Sequence, residues 1–161
     1  MNTLVVYDSD YGNTEKIAKA IADAVTKTHQ VRLLRVGEAT PADLPPIDLL
    51  VVGSPTQGGM ATKALQEYLK KLSPNSLAGV RVAAFDTRYS IKEQGKSLRL
   101  LMRIIGFAAP RIATTLRKKG GDLVADPEGF IVDNKSGPLK PGELERATAW
   151  MKTITKSATV R

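Results

Sequence analysis

Apolar and polar positions alternate in blocks along this chain. Thr3 to Tyr7 is an apolar run that stops at Asp8 and Ser9. A short run without alternation, ended by polar residues, predicts a strand buried on both faces. Ile47 to Val52 and Val80 to Phe85 repeat the pattern. Val31 to Val36 instead alternates apolar with basic residues, as an outer strand does. From Asn13 to about Lys27, the residues Ile17, Ala18, Ile21, Ala22 and Val25 recur at helical spacing. Ala61 to Leu72 does the same with Leu65, Tyr68, Leu69 and Leu72. A long helical stretch is predicted from about Glu93 to Lys119, broken at Gly106 and Pro110. Pro110 is expected to restart a second helix, with Ile112 and Leu116 inward and Arg111, Arg117, Lys118 and Lys119 outside. A glycine-rich strand segment follows, with Leu123 to Ala125 and Phe130 to Val132. Pro141 and Gly142 open a last helix through about Ile154, with Leu144, Ala147, Trp150, Met151 and Ile154 inward. Pro41, Pro45 and Pro46 mark a loop, and the polar tail from Lys156 to Arg161 is expected to fray.

Strand and helix thus alternate about five times, which predicts an α/β fold with a parallel sheet covered by helices on both faces. Right-handed crossovers leave few topologies. A length of 161 residues fits one domain over residues 1–161. No apolar run approaches the ~20 residues of a membrane span. The N-terminus reads directly into a strand, without the marks of a signal peptide, so a cytoplasmic location is expected. The chain has no cysteine and one histidine, which excludes disulfides, iron–sulfur clusters, thiolate nucleophiles and a zinc site. That histidine, His29, is expected to be solvated near the end of the first helix. The net charge of +8 points to an acidic partner, an anionic surface or good solubility. It does not point to nucleic acid, because the few aromatics do not interleave with the basic residues.

The candidate chemistry begins where the first strand ends. Ser9-Asp10-Tyr11-Gly12-Asn13-Thr14 turns from that strand into the first helix. Backbone N–H groups at a helix start lack intrahelical partners, and the helix dipole adds partial positive charge there. Such a loop suits a phosphate. Ser9 and Thr14 hydroxyls and the Asn13 amide can add donors, and Gly12 permits close backbone approach. Asp10 is expected to point to solvent. The loop has no Gly-Lys-Ser/Thr ending and no Gly-x-Gly-x-x-Gly, so it is neither a P-loop nor a dinucleotide loop. A capped turn that binds nothing, with Asn13 or Thr14 as N-cap, is the alternative.

Ser-x-x-Gly-Asn-Thr between an apolar strand and an alanine-rich helix resembles the FMN phosphate loop of flavodoxins. The resemblance implies a doubly wound, flavodoxin-like fold. Its five-stranded parallel sheet would run in the order 2-1-3-4-5, with helices on both faces. It also implies one FMN, bound non-covalently at the carboxyl ends of the strands, a rule for which flavodoxin is a standing example. The loop after the third strand, Gly53-Ser54-Pro55-Thr56-Gln57-Gly58-Gly59-Met60, is similar to the family's first flavin loop. In flavodoxins a peptide flip there lets a carbonyl accept a hydrogen bond from N5 of the reduced flavin. Gly58 and Gly59 make such a flip feasible. The loop after the fourth strand, Asp86-Thr87-Arg88-Tyr89, matches the second flavin loop in position. There Tyr89 could stack on the ring, and amides near Thr87 and Arg88 could bond its pyrimidine edge. Arg88 could sit near N1 and ease reduction, or it could simply face solvent. The chain departs from the family in lacking a tryptophan in the first flavin loop and in being basic.

Lys92, Lys96, Arg99 and Arg103 would form one stripe on a helix, with Leu98, Leu101, Met102 and Ile105 on another face. The stripe is either a solvated face or a docking face for an acidic redox partner or an anionic membrane surface. Together these residues predict an electron carrier working between redox partners. The alternative is an FMN-dependent oxidoreductase of a quinone or porphyrinogen, possible at a membrane surface. A flavodoxin-like protoporphyrinogen oxidase also carries a basic, apolar insertion near its flavin.

Overall fold

A computed structural model describes residues 1–44 and 46–156 of the chain. The elements run β1 (Asn2–Tyr7), α1 (Asn13–Asp23), β2 (Gln30–Arg35), β3 (Leu49–Pro55), α2 (Lys63–Lys71) and β4 (Arg81–Tyr89). They continue with α3 (Lys96–Ile105), α4 (Ala108–Lys118), β5 (Asp122–Leu123), β6 (Glu128–Val132) and α5 (Glu143–Lys156). All strand pairings in the sheet are parallel, in the order β2-β1-β3-β4. The fifth position is filled in two pieces, β5 beside Arg81 and Val82, then β6 beside Phe85 to Tyr89. The predicted order 2-1-3-4-5 is therefore present, with its last strand split.

The unbroken apolar runs have the expected physical cause. Leu4, Val6, Leu50, Val52, Val82 and Ala84 point to one side of the sheet, where Leu65, Leu69, Ile112 and Leu116 of α2 and α4 cover them. Val5, Leu49, Val51, Ala83 and Phe85 point to the other, under Ile17, Ile21, Ala147 and Met151 of α1 and α5. Alternation is present in space but hidden in sequence, because both faces are buried. Trp150 packs edge-on against Phe85 and Phe130, with ring centroids 6.3 and 6.2 Å away. Gly53 is required beside this cluster, since a Cβ there would lie 2.0 Å from the Phe85 ring.

The structure corrects several expectations. Helix α1 stops at Asp23, and His29 follows it, bonded to the Thr28 hydroxyl at 2.7 Å. The break in the long helical stretch comes at Gly106 and Phe107, not at Pro110. Pro110 lies in the first turn of α4, where a missing N–H costs no helical bond. Leu144, expected inward, is 42% exposed. Arg111 donates to the Ile105 carbonyl at 2.8 Å, and Lys119 donates to the Leu72 carbonyl. Lys156 still belongs to α5, while Pro45 of the proline loop and residues 157–161 of the tail lie outside the described residues. Among the described residues no helix is long and apolar enough to cross a membrane.

Candidate functional site

Parallel strands end together, so the loops after β1, β3, β4 and β6 gather at one edge of the sheet. They surround a cleft of about 550 Å³. Short backbone bonds tie the loops to one another: the Asp8 N–H to the Gly53 carbonyl at 3.1 Å, and the Thr56 N–H to the Thr87 carbonyl at 3.0 Å.

The loop after β1 supplies Ser9, Asp10, Tyr11, Asn13 and Thr14 to the cleft wall. Neither Asn13 nor Thr14 is the N-cap. Gly12 takes that position with φ +87°, which only glycine adopts without strain, and no side chain caps the helix. The first helical bond runs from the Lys16 N–H to the Gly12 carbonyl. Among the described residues the amides of Asp10, Tyr11, Asn13 and Thr14 have no acceptor. The Ser9 oxygen accepts from the Gly12 N–H at 3.0 Å, which leaves its own proton free. Thr14 and Thr87 hydroxyls meet at 2.8 Å, and one of their two protons remains to be donated outward.

The two aspartates of this loop are handled differently. Asp8 is buried and turned away from the cleft, with the Thr62 hydroxyl donating to it at 2.6 Å and the Arg35 guanidinium 3.5 Å away. Asp10 is exposed as expected but is not turned away. It lies at the cleft mouth and accepts a bond from the Gln57 side-chain amide, which bridges the first two loops.

The loop after β3 contributes Pro55, Thr56, Gln57, Gly58 and Gly59. Gln57 and Met60 exchange both backbone bonds, at 2.9 and 3.0 Å, around Gly58 (φ +54°) and Gly59 (φ +80°). Two consecutive left-handed residues make the tight turn that glycines favour. A Cβ on Gly58 would meet nothing, whereas one on Gly59 would lie 2.3 Å from Ile105 Cγ2. The first glycine is open to the surroundings and the second seats the end of α3.

The segment Asp86 to Tyr89, expected as a loop, is the end of strand β4, held there by parallel pairing with β6, and its Thr87, Arg88 and Tyr89 reach the cleft. Arg88 does not simply face solvent. Its guanidinium forks onto Asp86 at 2.6 and 2.8 Å and stacks on Phe107 at 3.8 Å from the ring centroid. Asp86 is fully buried, does not line the cleft and caps α4 by accepting from the Ala109 N–H at 2.8 Å. Burial pushes its carboxyl above the usual range, against the pull of Arg88 and the Ala109 N–H. Asp86 holds Arg88 and the α4 start in place, while Gly12 shapes the first loop, so these two expected contact residues act from behind the wall.

The three loops read from the sequence leave out the rest of the wall. Leu98, Leu101, Met102 and Ile105 of α3, Phe107 behind it, Val132 at the end of β6 and Lys135 beyond it all line the cleft. The α3 residues did carry a signal, an apolar face with no strand to cover. Lys135 carried none, and its ammonium lies 5.8 Å from the Tyr11 ring centroid. The basic stripe is also reorganised. Lys92 precedes α3 on a separate 3₁₀ turn, and Arg99 folds back onto the Lys92 and Gln94 carbonyls at 3.4 and 3.2 Å.

The arrangement offers free amides and hydroxyls at the N-terminus of α1, then a cleft between the Gln57–Met60 turn, the end of β4 and the apolar side of α3. Comparison with known proteins agrees with this fold. A flavodoxin of Aquifex aeolicus is 39% identical over 67 residues, which are 40% of this chain and 36% of that flavodoxin's length. Oxidised flavodoxin 2 from Bacillus cereus superposes with a TM-score of 0.73 at 20% identity, over 98% of this chain and 99% of the other. The rubredoxin oxygen:oxidoreductase of Desulfovibrio gigas superposes with the same TM-score at 20% identity, over 97% of this chain and 35% of that one. Residues 4–126 match the family described as flavodoxin domain, and the chain belongs to that family.

Proposed function

We propose that this chain binds one FMN non-covalently in the cleft and carries electrons to and from a separate redox protein with an acidic docking face. The observation that carries the reading is the set of unpaired amides at Asp10, Tyr11, Asn13 and Thr14, placed at a helix start beside two free hydroxyl protons. These groups fit a phosphate monoester: several neutral donors converge, and a helix dipole assists them. Thr14, Ser9 and Asn13 would hold the phosphate. The Gln57–Met60 turn and Tyr89 would flank the ring, and the α3 residues would exclude water from it. Once bound, the flavin supplies the redox chemistry, and the protein supplies position and electrostatics.

Among the described residues three charged side chains reach the cleft: Asp10, Arg88 and Lys135. Asp10 accepts a bond from Gln57 and Arg88 is paired with Asp86, while Lys135 has no ion-pair partner among the described residues and lies near the Tyr11 ring. The net charge of +8 supports an acidic partner. The test is a visible spectrum of the purified chain, followed by stepwise anaerobic reduction. Two flavin bands, release of FMN on denaturation and reduction in two separate one-electron stages are expected. Reduction in a single two-electron stage would favour the oxidoreductase. A colourless protein that takes up no added FMN would end the reading.

A further inference from the structure

Helix α3 buries none of its ten residues. Its inner side lines the cleft with Leu98, Leu101, Met102 and Ile105. Its outer side carries Leu100 and Ile104, 61% and 73% exposed and one turn apart. Lys96 and Arg103 stand one turn from Leu100 on that same side, and neither has an ion-pair partner among the described residues. No α3 residue is acidic, and Glu93 just before the helix is neutralised by Lys140 at 3.0 Å. The outer side is thus an apolar pair framed by free cations, directly above the cleft wall.

Single exposed leucines need no explanation, but adjacent apolar side chains on a helix that packs into no core do. A second copy of the chain would bring the same cations against this face, at +8 per copy, and would be repelled. A membrane-lying helix uses its broad apolar face for lipid. Here that face lines the cleft, with Leu98 and Leu101 at its rim 46% and 48% exposed, and Leu100 and Ile104 stand on the other side of the helix. A small apolar centre with a charged rim fits a transient protein contact, the size class of electron-transfer encounters.

We infer that the outer face of α3 docks a redox protein whose surface carries an apolar spot ringed by carboxylates. This rests on the carrier reading above. The partner's redox centre would then face the cleft across one helix, about 10 Å thick. Opposite charges steer the encounter, and Leu100 with Ile104 exclude water once it forms.

The probe is a strongly acidic [2Fe–2S] ferredoxin. Its binding to the chain, with and without FMN, is measured by calorimetry. Electron transfer to the FMN-loaded chain is followed by stopped flow over a range of ionic strength. The double variant Lys96→Glu with Arg103→Glu should slow transfer at low salt by about tenfold or more, and should flatten its salt dependence. Leu100→Ser with Ile104→Ser should weaken binding while keeping the salt dependence. Lys70→Glu with Lys71→Glu on α2 removes the same charge elsewhere and should have little effect. The proposal is overturned if the α3 variants match the wild type, if the α2 control slows transfer as much, or if the wild type binds no ferredoxin. It is equally overturned if the α3 variants instead abolish binding to phosphatidylglycerol vesicles and leave ferredoxin transfer unchanged. FMN uptake is scored separately by absorption. Failure of uptake with ferredoxin binding retained would sink the carrier reading and leave the docking face standing.

Discussion

Thr14 at the start of α1 and Thr87 near the end of β4 are 73 positions apart in the chain and share a hydrogen bond of 2.8 Å in the cleft wall. Removing one hydroxyl leaves the other threonine without its partner and, on the proposed reading, would take a donor from the FMN phosphate. We predict that Thr14→Ala weakens FMN binding by about 1–3 kcal/mol, the usual cost of leaving a charged acceptor without a donor. Fluorescence titration checks this, and an unchanged Kd would remove Thr14 from the site. The two glycines of the neighbouring turn separate a backbone effect from a contact effect. Gly58→Ala meets only the left-handed backbone cost of about 1–2 kcal/mol. Gly59→Ala meets the same cost and also drives a Cβ to 2.9 Å from the Ile105 carbonyl oxygen. Urea unfolding should therefore show Gly59→Ala as the more destabilised, with faster amide exchange along α3. Equal losses would mean that α3 yields without resistance.

At the scale of elements, the spacing of apolar residues was sufficient for most helices, because each had a sheet face to cover. Helix α3 obeyed the same spacing for another reason: its apolar side faces a cleft. No sequence pattern distinguishes a core from a cavity wall, since both ask only for apolar side chains on one side. Helix α5 shows how a polar residue fixes an element. Glu143, buried at its start, accepts from the Ile131 N–H at 2.6 Å and from the Arg146 guanidinium at 2.7 Å. Burial pushes its carboxyl up, but Arg146 and the Ile131 N–H outweigh that and hold it below the usual carboxylate value. A lowered folded pKa contributes stability that is present above the ordinary value near 4.5 and is lost as pH falls through the folded one. Glu143→Gln should cost about 1–3 kcal/mol at neutral pH. It should also flatten the loss of stability below about pH 4.5, as followed by denaturation at stepped pH. An unaltered acid limb would show that other carboxylates carry it.

Over the whole molecule, the charge of +8 acts on any anion that approaches, although the first loop holds no Lys or Arg. A phosphate monoester carries about −1.5 to −2 at neutral pH. We predict that the FMN association rate falls as ionic strength rises and the Debye length shortens from ~30 Å to ~8 Å. Riboflavin, which lacks the phosphate, should bind at a rate nearly independent of salt. Stopped-flow quenching compares the two, and parallel salt dependence would exclude steering through the phosphate. The parallel, helix-covered sheet and the glycine-bearing turn into α1 were legible in the chain alone, while the strand order came only with the resemblance to flavodoxins. Buried parallel strands demand continuous apolar runs, and a glycine-bearing turn into a helix leaves amides unpaired wherever it occurs. Only the tertiary structure decided which groups share the cleft. It folded Arg88 back onto Asp86, set Asp10 against Gln57, placed Lys135 beside Tyr11 and left Leu100 and Ile104 facing outward. Such pairings depend on distances between segments remote in sequence, and those distances exist only once the sheet has brought its strand ends to one edge.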